Sequence, residues 1–261
     1  MVDGMKRLLC LSIAAALLSG CGGRSELDLT RRAAEKGEVL AQHNLGLMYS
    51  HGHGVARDYT EAFKWFCRAA EQGYARAQHN LGLMYSTGLG VTEDDAQAFQ
   101  WYLKSAGQGF ARAQYALGRM YGLGEGVDRD DAKAREWLLK AAGQGNATAQ
   151  YVLGAMHMRE EDSGENHALA AKWFRKSAEQ GYALAQLSLG YMYAYGRGIA
   201  EDDAQAVKWF RKAAEQGDVG GQYHLGLAYL GGAGVTRDYD QAANWFRKAA
   251  EQGISLDDLD L

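Results

Sequence analysis

The sequence predicts an all-α fold, a solenoid of six 36-residue helix-turn-helix repeats. The decapeptide AQHNLGLMYS occurs twice, at residues 41–50 and 77–86. The six tryptophans of the chain follow the same 36-residue step: Trp65, Trp101, Trp137, Trp173, Trp209 and Trp245. The predicted repeats are residues 38–73, 74–109, 110–145, 146–181, 182–217 and 218–253. Because a helix pair this small cannot bury its own apolar face, stacked copies must bury it for one another.

Each repeat is predicted to hold two helices. In the first repeat, Leu45, Met48 and Tyr49 recur at helical spacing, and so do Trp65 and Phe66. The connection between the two helices reads G-x-G-V in most repeats, and two glycines let the backbone turn through positive φ. The chain contains 34 glycines and no proline, so glycine has to supply the breaks between helices.

Side chains that cap helices recur at the predicted ends of each second helix. Short polar residues at its start can accept hydrogen bonds from the first-turn N–H groups. These predicted N-caps are Asp58, Asp94, Asp130, Asn166, Asp202 and Asp238. In four repeats a capping box is completed three residues later by Glu61, Gln97, Gln205 and Gln241. The predicted left-handed glycines at the end are Gly73, Gly109, Gly145, Gly181, Gly217 and Gly253.

Other residues that recur once per repeat are assigned to packing. Glycine at position 46 and alanines at positions 62 and 70 are expected to leave space for the tryptophan, which is interpreted as core rather than as a ligand cage. A glutamine is equally regular, at Gln42, Gln78, Gln114, Gln150, Gln186 and Gln222. Since one ligand would not touch all six glutamines alike, we expect them to satisfy buried backbone groups.

The first twenty residues read as a secretory signal. Lys6 and Arg7 precede an apolar run at residues 8–18, which is too short to span a bilayer. Met5 is the preferred start, because Asp3 would dilute the basic segment. The following L-S-G-C resembles the lipobox of bacterial lipoproteins, and this resemblance implies that Cys21 carries lipid and becomes the mature N-terminus. An ordinary signal peptide with a chance cysteine is the alternative.

The same resemblance implies the location of the mature protein. Gly22 rather than aspartate follows the lipidated cysteine, which favours the outer membrane, with the protein facing the periplasm. Residues 22–30 would form a tether within an N-terminal segment, residues 21–37, that also includes a cap helix. Residues 254–261 are expected to form an acidic tail or a C-terminal cap.

Charge and cysteine content exclude some classes of protein. The chain has a net charge of −4, and an exported acidic chain is not expected to bind nucleic acid. Of three cysteines, Cys10 leaves with the signal and Cys21 would carry lipid, so Cys67 remains without a disulfide partner. Cys67 is interpreted as a small buried apolar residue.

The repeat closely resembles a known family. Its pattern is A-x-A-Q-x-x-L-G-x-x-Y-x-x-G-x-G-V followed by D-x-x-x-A-x-x-W-F-x-K-A-A-E-Q-G, which is similar to the Sel-one-like repeat, a relative of the tetratricopeptide repeat. The resemblance covers nearly the whole mature chain. It implies a right-handed α-solenoid and a role as a scaffold or adaptor for other proteins, without a cofactor.

Positions that differ among the repeats are the candidate binding residues, because constant positions mark packing. They lie on the face of each first helix opposite Leu45 and Tyr49, which would line a concave groove. The candidates are His43, Asn44, Arg76, His79, Asn80, Arg112, Tyr115, Arg119, Tyr151, Tyr191 and Tyr223. Arginine and tyrosine are favoured in binding hot spots, and asparagine can bond an extended peptide backbone. A solvated helix face with scattered aromatic residues is the alternative.

The fourth repeat departs most from the pattern. It replaces G-x-G-V by Glu160, Glu161, Asp162 and Ser163, and His157 stands where five repeats have tyrosine. Such a loop could bind a cation or a basic partner, or it is a surface loop that has drifted.

No enzyme motif is present in the sequence, so no catalytic residue is predicted. His51 and His53 form a loop pair without further identified ligands, and no metal site is predicted. The function expected is a non-catalytic protein-binding scaffold of the cell envelope. A periplasmic immunity protein that neutralises a delivered toxin is the first alternative. The second is a hydrolase or β-lactam-binding protein, although the chain lacks the paired cysteines of such relatives.

Overall fold

The computed structural model describes residues 25–160 and 163–252, whose regular secondary structure is entirely helical. The chain divides into two compact units, Met1–Gln108 and Gly109–Leu261. The first unit contains α1 (Glu26–Glu35), α2 (Val39–His51), α3 (Tyr59–Glu71), α4 (Ala75–Thr87) and α5 (Asp95–Gly107). The second contains α6 (Ala111–Leu123), α7 (Asp131–Gly143), α8 (Ala147–Arg159), α9 (Gly164–Glu179), α10 (Ala183–Ala194), α11 (Asp203–Glu215), α12 (Val219–Gly231) and α13 (Tyr239–Ala250).

Within each unit, every helix packs on the next one along the chain. Helices α2 and α3 form the first repeat, and the pairs that follow form the other five. The predicted all-α solenoid of helix-turn-helix repeats is thereby confirmed. In the parts of the chain that the structure describes, each helix is too short or too polar to cross a bilayer.

The predicted N-caps are confirmed in five repeats and wrong in one. The side chains of Asp58, Asp94, Asp130, Asp202 and Asp238 accept a bond from the backbone N–H three residues later. In the fourth repeat the Ser163 hydroxyl accepts from the N–H of Asn166, so α9 starts one turn early and Asn166 lies inside it. A serine at the end of the divergent loop provides an earlier cap than the predicted asparagine.

The predicted capping boxes are only half formed. Asp58 accepts from the N–H of Glu61, but its own N–H donates to the carbonyl of Tyr49 at 2.9 Å. The Glu61 carboxylate is bound instead by Lys64. The other four aspartate caps make the same bond, in which the N–H of the aspartate donates to the carbonyl of the equivalent tyrosine in its repeat. In these five repeats the tyrosine backbone therefore ties the end of the first helix to the start of the second.

The predicted positive-φ glycines are confirmed where the structure describes them. Gly73, Gly109, Gly145, Gly181 and Gly217 have φ of 86 to 90°, and Gly253 lies outside the described residues. In the loop of the second repeat, Gly88 and Gly90 have φ of 67 and 75°. A Cβ on Gly90 would contact the carbonyl oxygen of Tyr59 in the preceding repeat, so the glycine permits close packing between repeats as well as the turn.

The prediction that the tryptophan fills the space above the first-helix glycine is wrong. The residue after the tryptophan fills it. A Cβ added to Gly46 would lie 2.7 Å from the Phe66 ring, and one added to Gly82 would lie 2.6 Å from the ring of Tyr102. The full series at this position is Phe66, Tyr102, Leu138, Phe174, Phe210 and Phe246. The two positions are neighbours on a helix, and the sequence pattern could not distinguish which of them points at the glycine.

The tryptophans lie at the edge of the core. Trp65 and Trp209 are buried, with 8% exposure each, and the other four are half-buried. A cation three residues later on the same helix covers each ring, for example Lys104 Nζ at 3.9 Å from the centre of the Trp101 ring. The interpretation as packing residues stands, but a lysine or arginine supplies part of the cover.

The recurrent glutamines satisfy buried backbone groups, as predicted. Gln42 is 5% exposed, and its Nε2 donates to the carbonyl of Ala34 in the preceding helix at 3.1 Å. Its Oε1 accepts from Nε2 of Gln72, at the end of the second helix of the same repeat, at 2.7 Å. The same link between glutamine side chains recurs in the other five repeats at 2.7 to 3.0 Å. Gln42 therefore connects three helices, and Gln78, Gln150, Gln186 and Gln222 donate to the preceding helix in the same way.

The ends of the chain lie partly outside the described residues. Helix α1 begins at Glu26 after the Ser25 cap, so residues 26–30, expected to be tether, are helical. The signal, Cys21 and the C-terminal segment 254–261 fall outside the described residues. Cys67 is half-buried against the Phe66 cluster, and burial raises the pKa of its thiol to about 11, in agreement with an apolar packing role.

A matched pair of glycine substitutions tests the packing of the first helix against the second. Gly82→Ala should lower stability by about 1 to 2 kcal/mol, because the methyl group must displace the Tyr102 ring. Gly107→Ala, where a Cβ meets nothing within 4 Å, should raise stability by about 0.5 to 1 kcal/mol through helix propensity. Urea denaturation midpoints would show the two opposite shifts. Equal midpoints for both variants would contradict the packing described here.

Candidate functional site

The predicted binding residues of the first unit lie on α2 and α4, and they differ in accessibility. Asn44 and Arg76 are exposed, whereas His79 and Asn80 are half-buried. His43 is only 6% exposed, with its ring against Phe66 and Tyr74, and its Nε2 lies 3.3 Å from Nδ2 of Asn80. Burial lowers the pKa of His43, and so does the charge of Arg76. His43 therefore offers little surface to a partner, although it can position Asn80.

The first unit has a shallow cavity between α2 and α4 of about 340 Å³. Asn80, Leu47 and Leu83 line it, with Phe66 among its other lining residues. We call it the α2–α4 cavity. His51 and His53, considered above as a metal pair, stack with ring centres 5.5 Å apart beside it, and His51 Nδ1 lies 2.9 Å from the Leu47 carbonyl oxygen.

The second unit divides its predicted residues between two cavities. Tyr115 and Arg119 line one of about 630 Å³ between α6 and α8, here called the α6–α8 cavity. Tyr151 and Tyr191 line one of about 470 Å³ between α8 and α10, the α8–α10 cavity. Two predicted residues line neither cavity: Arg112, which is exposed, and Tyr223, which is 4% exposed.

The α6–α8 cavity combines an apolar base with arginines. Leu138, Val152 and Met156 form the apolar part, and the arginines at its walls are Arg119, Arg129, Arg135 and Arg159. Of these, only Arg119 was among the predicted binding residues. The sequence marks this cavity by departures from the repeat pattern. Arg135 stands where the first two repeats have phenylalanine, and Leu138 stands where the other five have an aromatic residue.

Carboxylates partly neutralise the arginines of the α6–α8 cavity. Arg119 pairs with Glu125 at 3.0 Å, Arg129 pairs with Asp131 at 3.0 Å, and Arg135 pairs with Glu160. The side chains in these pairs are at least one-third exposed, and such pairs contribute little to stability. They can therefore exchange partners without a large cost to the fold.

Aromatic side chains dominate the α8–α10 cavity. Phe174, Tyr195 and Met158 join Tyr151 and Tyr191 in lining it. Burial raises the pKa of Tyr151 and of Tyr191, so both hydroxyls are protonated at neutral pH and can donate hydrogen bonds. The Tyr191 hydroxyl lies 2.5 Å from Nε2 of His224.

The divergent fourth repeat places Glu160 among cations rather than in an open acidic site. Its carboxylate binds Arg135 and lies 3.2 Å from Nδ1 of His157. Glu161 and Asp162 lie outside the described residues. Among residues 25–160 and 163–252, no group of three or more His, Cys, Asp or Glu side chains could hold a metal ion.

A family model matches the chain six times in tandem. The matches to the Sel1 repeat are residues 39–74, 75–110, 111–146, 147–182, 183–218 and 219–254. The chain belongs to the Sel1 repeat family. Its repeats begin one residue later than the boundaries expected from the sequence. No curated protein matches this Sel1 repeat protein significantly.

Solved structures similar to this Sel1 repeat protein have the same fold. A protective antigen of uropathogenic Escherichia coli with an SLR fold is 39% identical over 87% of this chain, with a TM-score of 0.66. This chain spans 57% of the length of that antigen. A Sel1 repeat protein from Oxalobacter formigenes is 32% identical over 82% of this chain and 86% of its own, with a TM-score of 0.72. An immunity protein from Pseudomonas aeruginosa shares the fold at 21% identity over 85% of each chain, with a TM-score of 0.55.

The half-buried His224 of the second unit should make the stability of the protein depend on pH. Burial lowers the pKa of His224 from 6.5 to about 4, so this Sel1 repeat protein binds a proton at His224 more readily when unfolded. Stability should therefore fall as the pH is lowered from about 6.5 to about 4, with His224 contributing up to about 2 kcal/mol at this half-buried site.

His224→Asn removes the titrating group and introduces the residue found at the equivalent Asn44 and Asn80. Denaturation midpoints of the two proteins at pH 7 and pH 4.5 measure the effect. The variant should lose less stability on acidification than the parent, and an equal loss in both would show that His224 does not titrate in this range.

Proposed function

We propose that this Sel1 repeat protein is a non-catalytic protein-binding scaffold, exported as a lipoprotein of the bacterial outer membrane and facing the periplasm. One observation carries the binding part of the proposal. The residues shared by the repeats, such as Leu45, Gly46 and Gln42, are buried, whereas residues that vary line the cavities on the first-helix side. Selection of surface side chains on a constant framework is what a binding scaffold requires.

The chemistry of the cavities supports a protein partner. Tyrosine and arginine line the two cavities of the second unit, and these residue types predominate in binding hot spots. The framework beneath them is held by buried amides and close-packed rings, so little conformational order has to be gained on binding.

Export and lipidation rest on residues 1–21. The basic start, the short apolar run and the L-S-G-C sequence support an exported lipoprotein. The similarity to immunity proteins, at 20 to 21% identity, is one of fold and does not favour toxin neutralisation over an adaptor role.

Site-specific photo-crosslinking in cells tests the binding face. A photoreactive amino acid at Leu123, which is 61% exposed and lines the α6–α8 cavity, should give a discrete crosslinked protein. The matched control is Leu139, which is 45% exposed on the second helix of the same repeat and lines none of the cavities described. Adducts formed equally at both positions, or at Leu139 alone, would refute the proposed face.

Replacement of Cys21 tests the anchor. The parent protein should partition into the detergent phase of a Triton X-114 extract of the envelope fraction, because its acyl chains prefer an apolar phase. Cys21→Ala should partition into the aqueous phase. A parent protein found in the aqueous phase, or an unprocessed N-terminus in its mass spectrum, would refute lipidation at Cys21.

A further inference from the structure

The α6–α8 cavity lies where the third repeat departs from the packing pattern of the other repeats. In five repeats an aromatic ring lies over the first-helix glycine, but in the third repeat the smaller Leu138 lies over Gly118. Gly122, also in the cavity lining, stands where the first two repeats have serine. These smaller residues contribute to a cavity of about 630 Å³, compared with about 340 Å³ for the α2–α4 cavity, where Phe66 stands at the position equivalent to Leu138.

This cavity has the opposite charge to the whole chain. Four arginines and two carboxylates, Asp131 and Glu160, line it, whereas the full sequence carries a net charge of −4. A locally basic, apolar cavity on an acidic protein attracts an acidic ligand and disfavours a basic one.

Arg159 is the arginine with charge available for a ligand. The other three form the ion pairs given above, whereas no ion pair or hydrogen bond engages the Arg159 guanidinium among the described residues. Arg159 lines the α6–α8 cavity and also the α8–α10 cavity, so it lies between the two cavities of the same unit.

We infer that the second unit binds an acidic peptide segment in which a carboxylate lies between two apolar side chains. The carboxylate pairs with Arg159, one apolar side chain enters the α6–α8 cavity, and the other packs among the tyrosines of the α8–α10 cavity. The inference rests on the proposed protein-binding function and specifies the chemistry of the partner. A guanidinium favours a carboxylate because two parallel N–H groups can bind its two oxygens.

Fluorescence anisotropy with synthetic peptides tests the inference on the full chain. The probes are labelled peptides in which one glutamate lies between leucine and phenylalanine, with one to three residues on either side, and matched peptides with glutamine in its place. At least one glutamate peptide should bind roughly tenfold more tightly than its glutamine counterpart, since charged hydrogen bonds are the stronger ones. Its affinity should fall as the salt concentration rises.

Three variants separate the parts of the site. Arg159→Gln should weaken the glutamate peptide roughly tenfold and leave the glutamine peptide unchanged. Arg237→Gln is the matched control, an exposed arginine of the same unit that lines neither cavity, and should leave both affinities unchanged. Leu138→Phe introduces the residue of four of the other five repeats and should fold normally but weaken every peptide by narrowing the α6–α8 cavity.

The inference is wrong if no peptide of the set binds, if glutamate and glutamine peptides bind alike, or if Arg237→Gln weakens binding as much as Arg159→Gln. Binding to anionic lipid vesicles that requires Arg159, without peptide binding, would also overturn it. Crosslinking at Leu123 distinguishes this failure from that of the proposed function. Adducts in cells without peptide binding would support the proposed scaffold function and refute the acidic-segment inference. The absence of adducts would refute both.

Discussion

The buried glutamine of each first helix is the interaction on which the repeat depends. A helix leaves its last carbonyl groups without partners, and in a stacked array these carbonyls are buried against the next repeat. Gln42 solves this for the first repeat, since its amide donates to Ala34 in the preceding helix and accepts from Gln72 in the following one. Substitution by an apolar residue would remove both of these hydrogen bonds, at a cost of about 0.5 to 1.5 kcal/mol for each. The Ala34 carbonyl would keep the bond from the N–H of Gly37, and the Gln72 amide would keep its bond to the Gly37 carbonyl. The Gln42 amide therefore fixes both the distance and the rotation of three helices.

Because the glutamine and the glycine beneath the aromatic ring fix the helices, the remaining positions of the first helix are free to change. The third repeat shows how far this freedom extends. Leu138 replaces an aromatic residue of the core without disturbing the amide link, for Gln144 still binds Gln114 at 2.7 Å. Arg135 can occupy a position that is phenylalanine in the first two repeats. The cavity at this repeat is larger than the α2–α4 and α8–α10 cavities, which keep their aromatic ring, and the Gln114 link beside it is kept.

The period of 36 residues was enough to predict the fold, the helix pairs and most of the helix ends. Each of these depends on local spacing and on residues with a specific backbone role. The failures have physical causes. Tryptophan was assigned to the space filled by Phe66, since adjacent residues on a helix both face inward and the pattern cannot separate them. Asn166 was replaced as cap by Ser163, a loop residue outside the repeat pattern. Arg159 and Arg135 come from different helices, α8 and α7, and their approach to one cavity requires the fold.

The ion pairs of the α6–α8 cavity determine what a ligand can gain there. Because three of its four arginines pair with Glu125, Asp131 and Glu160, the cavity avoids strong repulsion among four cations. A ligand carboxylate that approached Arg119 or Arg135 would have to displace an existing carboxylate and would exchange one pair for another. At Arg159 it would gain a pair without breaking one within the described residues. One guanidinium can thus select for a negative charge, while most of the binding free energy has to come from apolar side chains in the adjoining cavities.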